Sequence, residues 1–407
     1  MSKLSFVEKL LDGVEVEWRP LGEVGEVRMC KRILKHQTSE TGDIPFYKIG
    51  TFGKEPNAYI ARELFNEYKA KYSYPRTGEI LISASGTIGR TVIFDGQDAY
   101  FQDSNIVWIE NDESQILNKF LFYVYEMVNW NVAEGGTIKR LYNDILKKTP
   151  IPIPPLAVQA EIVRILDAFM GLTAELTAVL TTELTARQKQ YTYYRDQLLT
   201  FAEGKVDHVP MGQEGIGEFI RGGGLQKKDF TETGVGCIHY GQIYTHYGTY
   251  ADKTKTYVSK EFAKKARKAK TGDLVIATTS ETDEDVCKAV AWLGSEDIAV
   301  SSDACIYRHN LNPKYVAYFF QTEQFQKQKR QYITGTKVRR VNADNLAKIS
   351  IPIPSPEEQA RIVAILDKFD TLTNSISRGL PREIALRQQQ YEYYREQLLS
   401  FPQPEGE

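Results

Sequence analysis

Apolar residues fall three or four apart through Ile162, Ile165, Phe169, Leu172, Leu176, Leu180 and Leu184, and the same face continues through Tyr191, Tyr194 and Leu198. That period predicts one long helix with a single apolar stripe. At 1.5 Å per residue its about 45 residues would span ~68 Å, more than a single small domain needs. A second stripe runs through Ile362, Ile365, Phe369, Leu372, Ile376 and Leu380, but Gly379 and Pro381 interrupt it. A break or kink is predicted there, with the helix restarting at Pro381. Two such stripes bury themselves most simply against each other, as an antiparallel two-helix coiled coil. The alternative is that each helix packs on its own domain.

The chain between these helices has a different pattern. Short β-type runs at 79–83, 90–94 and 274–277 are bounded by Gly and Asp turns, while 118–125 has a helical period. Each intervening block therefore reads as a mixed α/β domain. The blocks resemble each other only at landmarks. Pro20-Leu21-Gly22 pairs with Pro210-Met211-Gly212, 77–81 with 271–275, 135–140 with 335–340, Asp144 with Asp344 and Leu146 with Leu346.

The helical text itself is written twice. Residues 151–201 and 351–401 match at 27 of 51 positions at a constant offset of 200, each opening on Ile-Pro-Ile-Pro. A period this long points to two domain-sized halves related by an approximate two-fold axis. Residues 11–18 resemble 201–208, so the repeat is circular and the termini are expected to lie close together. The expected class is α+β, with two mixed α/β domains in a pseudo-two-fold arrangement joined by two long antiparallel coiled-coil helices. The expected division is an N-terminal segment 1–17, a domain 18–154, a helix 155–204, a second domain 205–354 and a second helix 355–407.

Composition adds bounds. A chain of 407 residues is too long for one ordinary core. No window approaches the ~18 apolar residues of a membrane span, and the first residues lack a signal-peptide pattern, so a cytoplasmic protein is expected. Cys30, Cys237, Cys287 and Cys305 are scattered and read as reduced structural thiols. His239 and His246, seven apart with no carboxylate or cysteine at ligand spacing, read as surface or groove residues, and no metal is expected. The net charge of −2 conceals an uneven distribution, because 205–350 carries 22 Lys and Arg against 17 Asp and Glu while 18–150 balances at 17 and 17.

No catalytic residues emerge. The chain lacks a P-loop, a cofactor-binding glycine turn and an Asn/Asp-Pro-Pro-Tyr motif, and the acidic run at 281–285 reads as a solvated loop. What remains is binding chemistry. Lys253 and Lys255 belong to a basic segment interleaved with hydroxyls and tyrosine, the groups that contact phosphates. In the paired loops, glycine permits close backbone approach, while Lys139 and Arg140, or Lys337, Arg339 and Arg340, reach phosphates or the guanine O6/N7 edge; Thr137 and Thr336 accompany them. Their bland alternative is a turn before the Pro-Ile-Pro segment. Ser83, Ser85, Thr87 and Arg90 in the first domain, and Thr278, Thr279 and Ser280 in the second, follow matched strands and are further DNA-binding candidates. Within the first helix, Thr173–Leu184 iterates a tetrapeptide of the Thr-Ala-Glu-Leu type three times. Adding or deleting one unit changes helix length by ~6 Å and rotates the downstream chain by ~40°.

With its two variable domains, duplicated helices, Pro-Ile-Pro entries, Tyr-Tyr-Arg-x-Gln-Leu-Leu helix ends and iterated tetrapeptide, nearly the whole chain resembles the specificity subunits of type I restriction-modification systems, in particular the subfamily called type IC. The resemblance implies a non-catalytic DNA-binding chain in which each target-recognition domain reads one half of a split, asymmetric double-stranded site. It implies that the helices set the gap and hold two methyltransferase (modification) subunits, and that motor-nuclease (restriction) subunits join for cleavage. The cofactor, S-adenosylmethionine, would reside in the methyltransferase subunits, with none bound by this chain. Ile162, Leu166, Tyr191, Tyr194, Arg195 and Leu198, with Ile362, Leu366, Tyr391, Tyr394, Arg395 and Leu398, are then the expected partner-binding helix residues. The rival readings are a single-chain DNA-modifying enzyme with an unrecognised active site and a coiled-coil scaffold that binds no DNA.

Overall fold

The computed structural model describes residues 6–130, 140–374 and 378–402. The chain forms two compact units, residues 1–177 with 386–407 and residues 178–385, and one helix, Leu156–Leu198, contributes to both. At 43 residues it matches the predicted length. The second helical region is two helices, Pro356–Asn374 and Leu380–Leu399. The restart falls one residue before the proline, because Pro381 fits the first turn of a helix, where its missing N–H has no bond to make. Gly379 lies so close to the end of the preceding helix that a Cβ there would come within 2.4 Å of the Thr371 carbonyl oxygen.

Each unit holds a mixed domain with two principal sheets. In the first unit a four-stranded antiparallel sheet runs Val27–Arg28, Ile106–Ile109, Ile80–Ser83, Thr91–Ile93, beside a three-stranded sheet centred on Ile44–Tyr47. In the second unit the sheets have five strands each, one centred on Leu274–Ala277 and one on Val235–Ile238. The central strands, Ile80–Ser83 and Leu274–Ala277, are buried along their whole length.

The Pro-Ile-Pro segments are strands that close each domain. Pro150–Ile153 pairs antiparallel with Glu17–Pro20, and Ser350–Ile353 pairs with Asp207–Pro210. The chain then turns into the helices, and two contacts recur at the offset of 200. Gln159 accepts from the Leu117 amide at 2.8 Å and donates to the Pro154 carbonyl at 2.7 Å. Gln359 accepts from the Asn312 amide and donates to the Pro354 carbonyl, both at 2.9 Å. Both glutamines are buried, and each satisfies backbone groups that would otherwise be stranded. About two turns further on, Asp167 bonds Tyr123 and Lys119, while Asp367 bonds Tyr318 and Lys314, the latter two at 2.7 Å.

The helices also meet each other. Tyr394 stacks on Phe169 in the first unit with ring centroids 5.0 Å apart, and Phe369 packs on Tyr194 in the second at 5.7 Å. Numbers rise on one helix as they fall on the other, the order of an antiparallel pair. The predicted single buried stripe is nevertheless incorrect at mid-helix, where Leu172 and Leu176 are exposed. Burial concentrates at the ends, because only there does a domain cover the helix: Ile162 and Leu166 join the first core, and Tyr191 and Leu199 the second. Near the termini, the Trp18 indole donates to the Pro402 carbonyl at 2.7 Å, and Leu398, Leu399 and Phe401 share a core with Val7 and Leu11.

Candidate nucleic-acid interface

In the first domain, the strand Ile80–Ser83 runs into a turn at 84–89 with Gly86 and Gly89 at positive φ. Ser83 holds that turn: its hydroxyl bonds the Thr87 carbonyl and accepts from the Arg90 amide at 2.9 Å. It is fully buried and presents nothing to a ligand, so its expected role in DNA contact is corrected to a scaffolding one. Arg90 is also partly used, donating to the Phe52 carbonyl at 3.0 Å, whereas Thr87 is exposed. Ser85 is the residue that links the two predicted loops, because it forms a β-bridge with Arg140 while its hydroxyl donates to Asn105 at 2.8 Å. Arg140 in turn donates to the Ser104 carbonyl at 2.8 Å. Thr137 and Lys139 lie outside the described residues.

The second domain repeats the clasp with other side chains. The Thr278 amide and hydroxyl both donate to the Asp303 carbonyl at 2.9 Å, and Thr279–Ser280 forms a two-residue ladder with Arg339–Arg340. Thr336, Lys337 and Arg340 are exposed; Arg339 is half-buried, with Nε 2.8 Å from Asp283 and Nη1 2.6 Å from the Gly335 carbonyl. Asp283 sits on a loop that the buried Lys329 secures, donating to the carbonyls of Glu284 at 3.1 Å and Val286 at 2.8 Å. Burial pulls the Lys329 ammonium below the usual lysine range.

Each clasp borders a groove. In the first domain a groove of about 330 Å³ is lined by Arg32, Lys35, Lys48 and Arg140 among others. In the second, a groove of about 290 Å³ is lined by Arg221, Thr278, Arg340 and Asn342 among others. Cations facing a concave polar surface are the chemistry of phosphate and base-edge contact. Arg32, Lys35, Lys48 and Arg221 are additions to the predicted set, and the cluster Lys31-Arg32 with Lys35 was a local signal for the first two. Lys253 and Lys255 are exposed on the turn between strands Tyr250–Ala251 and Thr256–Val258, in neither groove lining. His239 is a helix cap, accepting from the Gly241 amide at 3.3 Å, and all four cysteines are free and buried.

The sequence profile of the type I restriction modification DNA specificity domain matches residues 13–186 and again 206–386. The chain belongs to that family. A type I restriction enzyme specificity subunit of Escherichia coli, EcoR124I/EcoR124II, is 35% identical over 414 residues, covering 100% of this chain and 99% of its own. A putative type I restriction enzyme specificity subunit of Haemophilus influenzae is 65% identical over 182 residues, 45% of this chain and 47% of that relative. Among solved structures, a chain described in work on assembly of the type I R-M system aligns over 95% of this chain and 98% of its own with a TM-score of 0.65 at 15% identity. The HsdS subunit from Thermoanaerobacter tengcongensis aligns over 95% and 96% with a TM-score of 0.51 at 16% identity, and both likenesses speak to the fold. The reading as a non-catalytic specificity subunit agrees with the names of these relatives, and neither rival reading gains support. Among the described residues no helix is long and apolar enough to cross a membrane.

For a specificity subunit the helices are the expected docking surface, and here several predictions are corrected. Ile162, Leu166, Ile362 and Leu366 are fully buried, and Tyr191, Tyr391, Arg195 and Leu398 nearly so. They fasten the helices to this chain's own domains and offer little to a partner. Arg195 lies under Tyr191 at 5.4 Å and Arg395 under Tyr391 at 5.6 Å, with Arg395 also 2.7 Å from Glu126. Leu198 is half-buried against the second core. Of the predicted set, Tyr194 and Tyr394 remain exposed, and beside them stand Tyr193 and Tyr393, which lose the least surface of all these aromatics at 60% and 58% exposed.

Proposed function

We propose that the two domains, residues 18–154 and 205–354, each read one half of a split, asymmetric double-stranded DNA site. The observation that carries this reading is the recurrence of one clasp, Ser85–Arg140 and Thr279–Arg340, beside a cation-lined groove in both domains with different side chains around it. A shared frame with divergent groove residues is what reading two different sequences by one method requires.

The helical segments 155–204 and 355–407 set the gap between half-sites and dock two copies of the modification subunit, while residues 1–17 complete the circular repeat. Equivalent exposed tyrosines, Tyr193 and Tyr194 on one helix and Tyr393 and Tyr394 on the other, form two equivalent surfaces, which suits two copies of one partner. Tyrosines of this kind supply large contact area at low entropic cost. The modification subunit supplies S-adenosylmethionine and the methyl transfer to an adenine flipped from the duplex, and restriction subunits join the assembly for cleavage.

The test is methylome sequencing of cells carrying this chain with its modification subunit, against cells with the modification subunit alone. A split motif with methyladenine in both halves, present only with this chain, is the expected result. The same motif without this chain would remove it from recognition.

A further inference from the structure

The two clasps share a backbone frame bond for bond. In the first domain the Ala84 amide donates to the Asn105 carbonyl at 2.7 Å, the Leu141 amide donates to the Ala84 carbonyl at 2.8 Å, and Arg140 bridges Ser85. In the second the Thr278 amide donates to the Asp303 carbonyl at 2.9 Å, the Val341 amide donates to the Thr278 carbonyl at 3.1 Å, and Arg340 pairs with Thr279. Arg140 and Arg340 therefore occupy one position in one frame, and each lines its own groove. Around them the side chains have diverged. Ser85 corresponds to Thr279 and Asn105 to Asp303, and these last two also line the grooves. The fold itself does not demand an arginine here, because residues 140 and 340 are held in the clasp by main-chain atoms. Arg140 directs Nη2 to the Ser104 carbonyl at 2.8 Å, whereas the exposed Arg340 side chain makes no hydrogen bond or ion pair among the described residues. Nor, among the described residues, does a carboxylate neutralise either guanidinium.

We propose that Arg140 and Arg340 are positioning residues, each binding a backbone phosphate of its own half-site and taking no part in the choice of bases; this rests on the DNA-reading function proposed above. Domains that read different sequences cannot use one shared residue to tell those sequences apart. What two different half-sites have in common is the phosphate backbone, and a cation kept at one point of a shared frame while its neighbours change serves that common element. Such a contact fixes the register of each domain on the duplex and carries no sequence information. The local electrostatics agree. A guanidinium with no carboxylate beside it keeps its full charge for the phosphate, and its binding releases a counterion from the duplex. A base common to both half-sites is the competing target, and lysine separates the two. Lysine satisfies a phosphate as a point charge but does not reproduce the planar two-pronged fork that arginine offers to a base edge.

The experiment uses the full chain assembled with its modification subunit, as wild type, Arg140→Gln, Arg340→Gln, the double Gln variant, Arg140→Lys and Arg340→Lys. It reads the methylated motif, and the affinity for duplexes carrying that motif or one scrambled half-site as salt is raised. Each single Gln variant is expected to weaken binding about 10-fold on every duplex alike. Each should also lower the slope of log affinity against log salt by about 0.9, and the double variant by about 1.8. The motif should keep its bases, each Lys variant should keep the wild-type slope, and methylation by the Gln variants should recover as their concentration is raised. Relaxed preference at one base pair in any variant would make the arginine a base reader and overturn the proposal. Gln variants with wild-type affinity and slope would also overturn it, as would a loss in Gln and Lys variants alike that no concentration recovers, since the residues would then be structural. If the wild-type chain directed no split motif, the DNA-reading function would fall first and this inference with it; a wild-type motif bound with an affinity and slope indifferent to all the variants would remove only the inference.

Discussion

The two recognition domains of this specificity subunit differ where they face the grooves and agree where they meet the helices. Gln159 and Gln359 bridge the same backbone groups, and Asp167 and Asp367 each hold a tyrosine and a lysine from the facing domain helix. The groove cations, by contrast, differ in number and, Arg140 and Arg340 apart, in origin: Arg32, Lys35, Lys48 and Arg140 line one groove, and Arg221 and Arg340 the other. Even the junction has begun to diverge, with Glu126 receiving Arg395 in the first unit and Gln321 receiving the Tyr191 hydroxyl at 3.0 Å in the second. Helix attachment is a geometric constraint that tolerates few solutions, whereas a groove that must discriminate a new sequence gains from changing its side chains.

The largest effect expected from this comparison comes from truncating the helix anchors. Leu166→Ala and Leu366→Ala should each cost about 2–5 kcal/mol, because both side chains are fully buried. Proteolysis under partial denaturation should show the first variant opening residues 1–177 and the second residues 178–385; loss of both units together in either variant would break the comparison. Gln159→Leu and Gln359→Leu should be milder, about 1–3 kcal/mol each, through stranded backbone groups. Near-equal losses in chemical denaturation are expected, and a clear inequality would show that the two anchors are duplicates in geometry alone.

A third difference is sensitive to pH. Burial pushes the His309 imidazole down to about 4 from its ordinary 6.5, and its Nδ1 accepts from the Leu311 amide at 3.1 Å, a bond that protonation destroys. The folded ring is neutral where the unfolded ring charges, so this stability is intact above about 6.5 and is lost as pH falls from 6.5 toward 4. In the first unit the position two residues past the corresponding strand Ile106–Ile109 is Asn111, which does not titrate. Thermal unfolding followed from pH 7 to 4.5 should therefore show the second unit losing stability more steeply, and His309→Asn should flatten that slope. The smallest effect concerns the docking surface. Tyr193→Ala and Tyr393→Ala should leave stability within about 0.5 kcal/mol, as exposed substitutions do, yet weaken capture of the modification subunit in a pull-down. If capture is unaffected by the double variant, the partner docks elsewhere.

Much of this architecture was legible in the chain alone. The 43-residue helix followed from apolar spacing, the break near Gly379 from the glycine and proline that interrupt the stripe, and the mixed domains from short β-type runs between Gly and Asp turns. The pairing of loop landmarks was legible too, because the frame carries identical residue types at equivalent places. Where prediction failed, it failed over burial. Periodicity places Ile162, Ile165, Leu172 and Leu176 on one stripe, but it is silent about how far a covering surface extends along a helix. The first two pack into a domain core and the last two are exposed. Likewise Ser83 and Ser85 are indistinguishable as text, yet one hydroxyl holds its own turn and the other residue clasps Arg140. Local sequence determines which elements form, since propensity, turns and period act within a few residues. Only tertiary structure decides which side of an element is covered and which cations share a groove, because Arg32 meets Arg140 in one groove, and Arg221 meets Arg340 in the other, through strands and turns far apart in the chain.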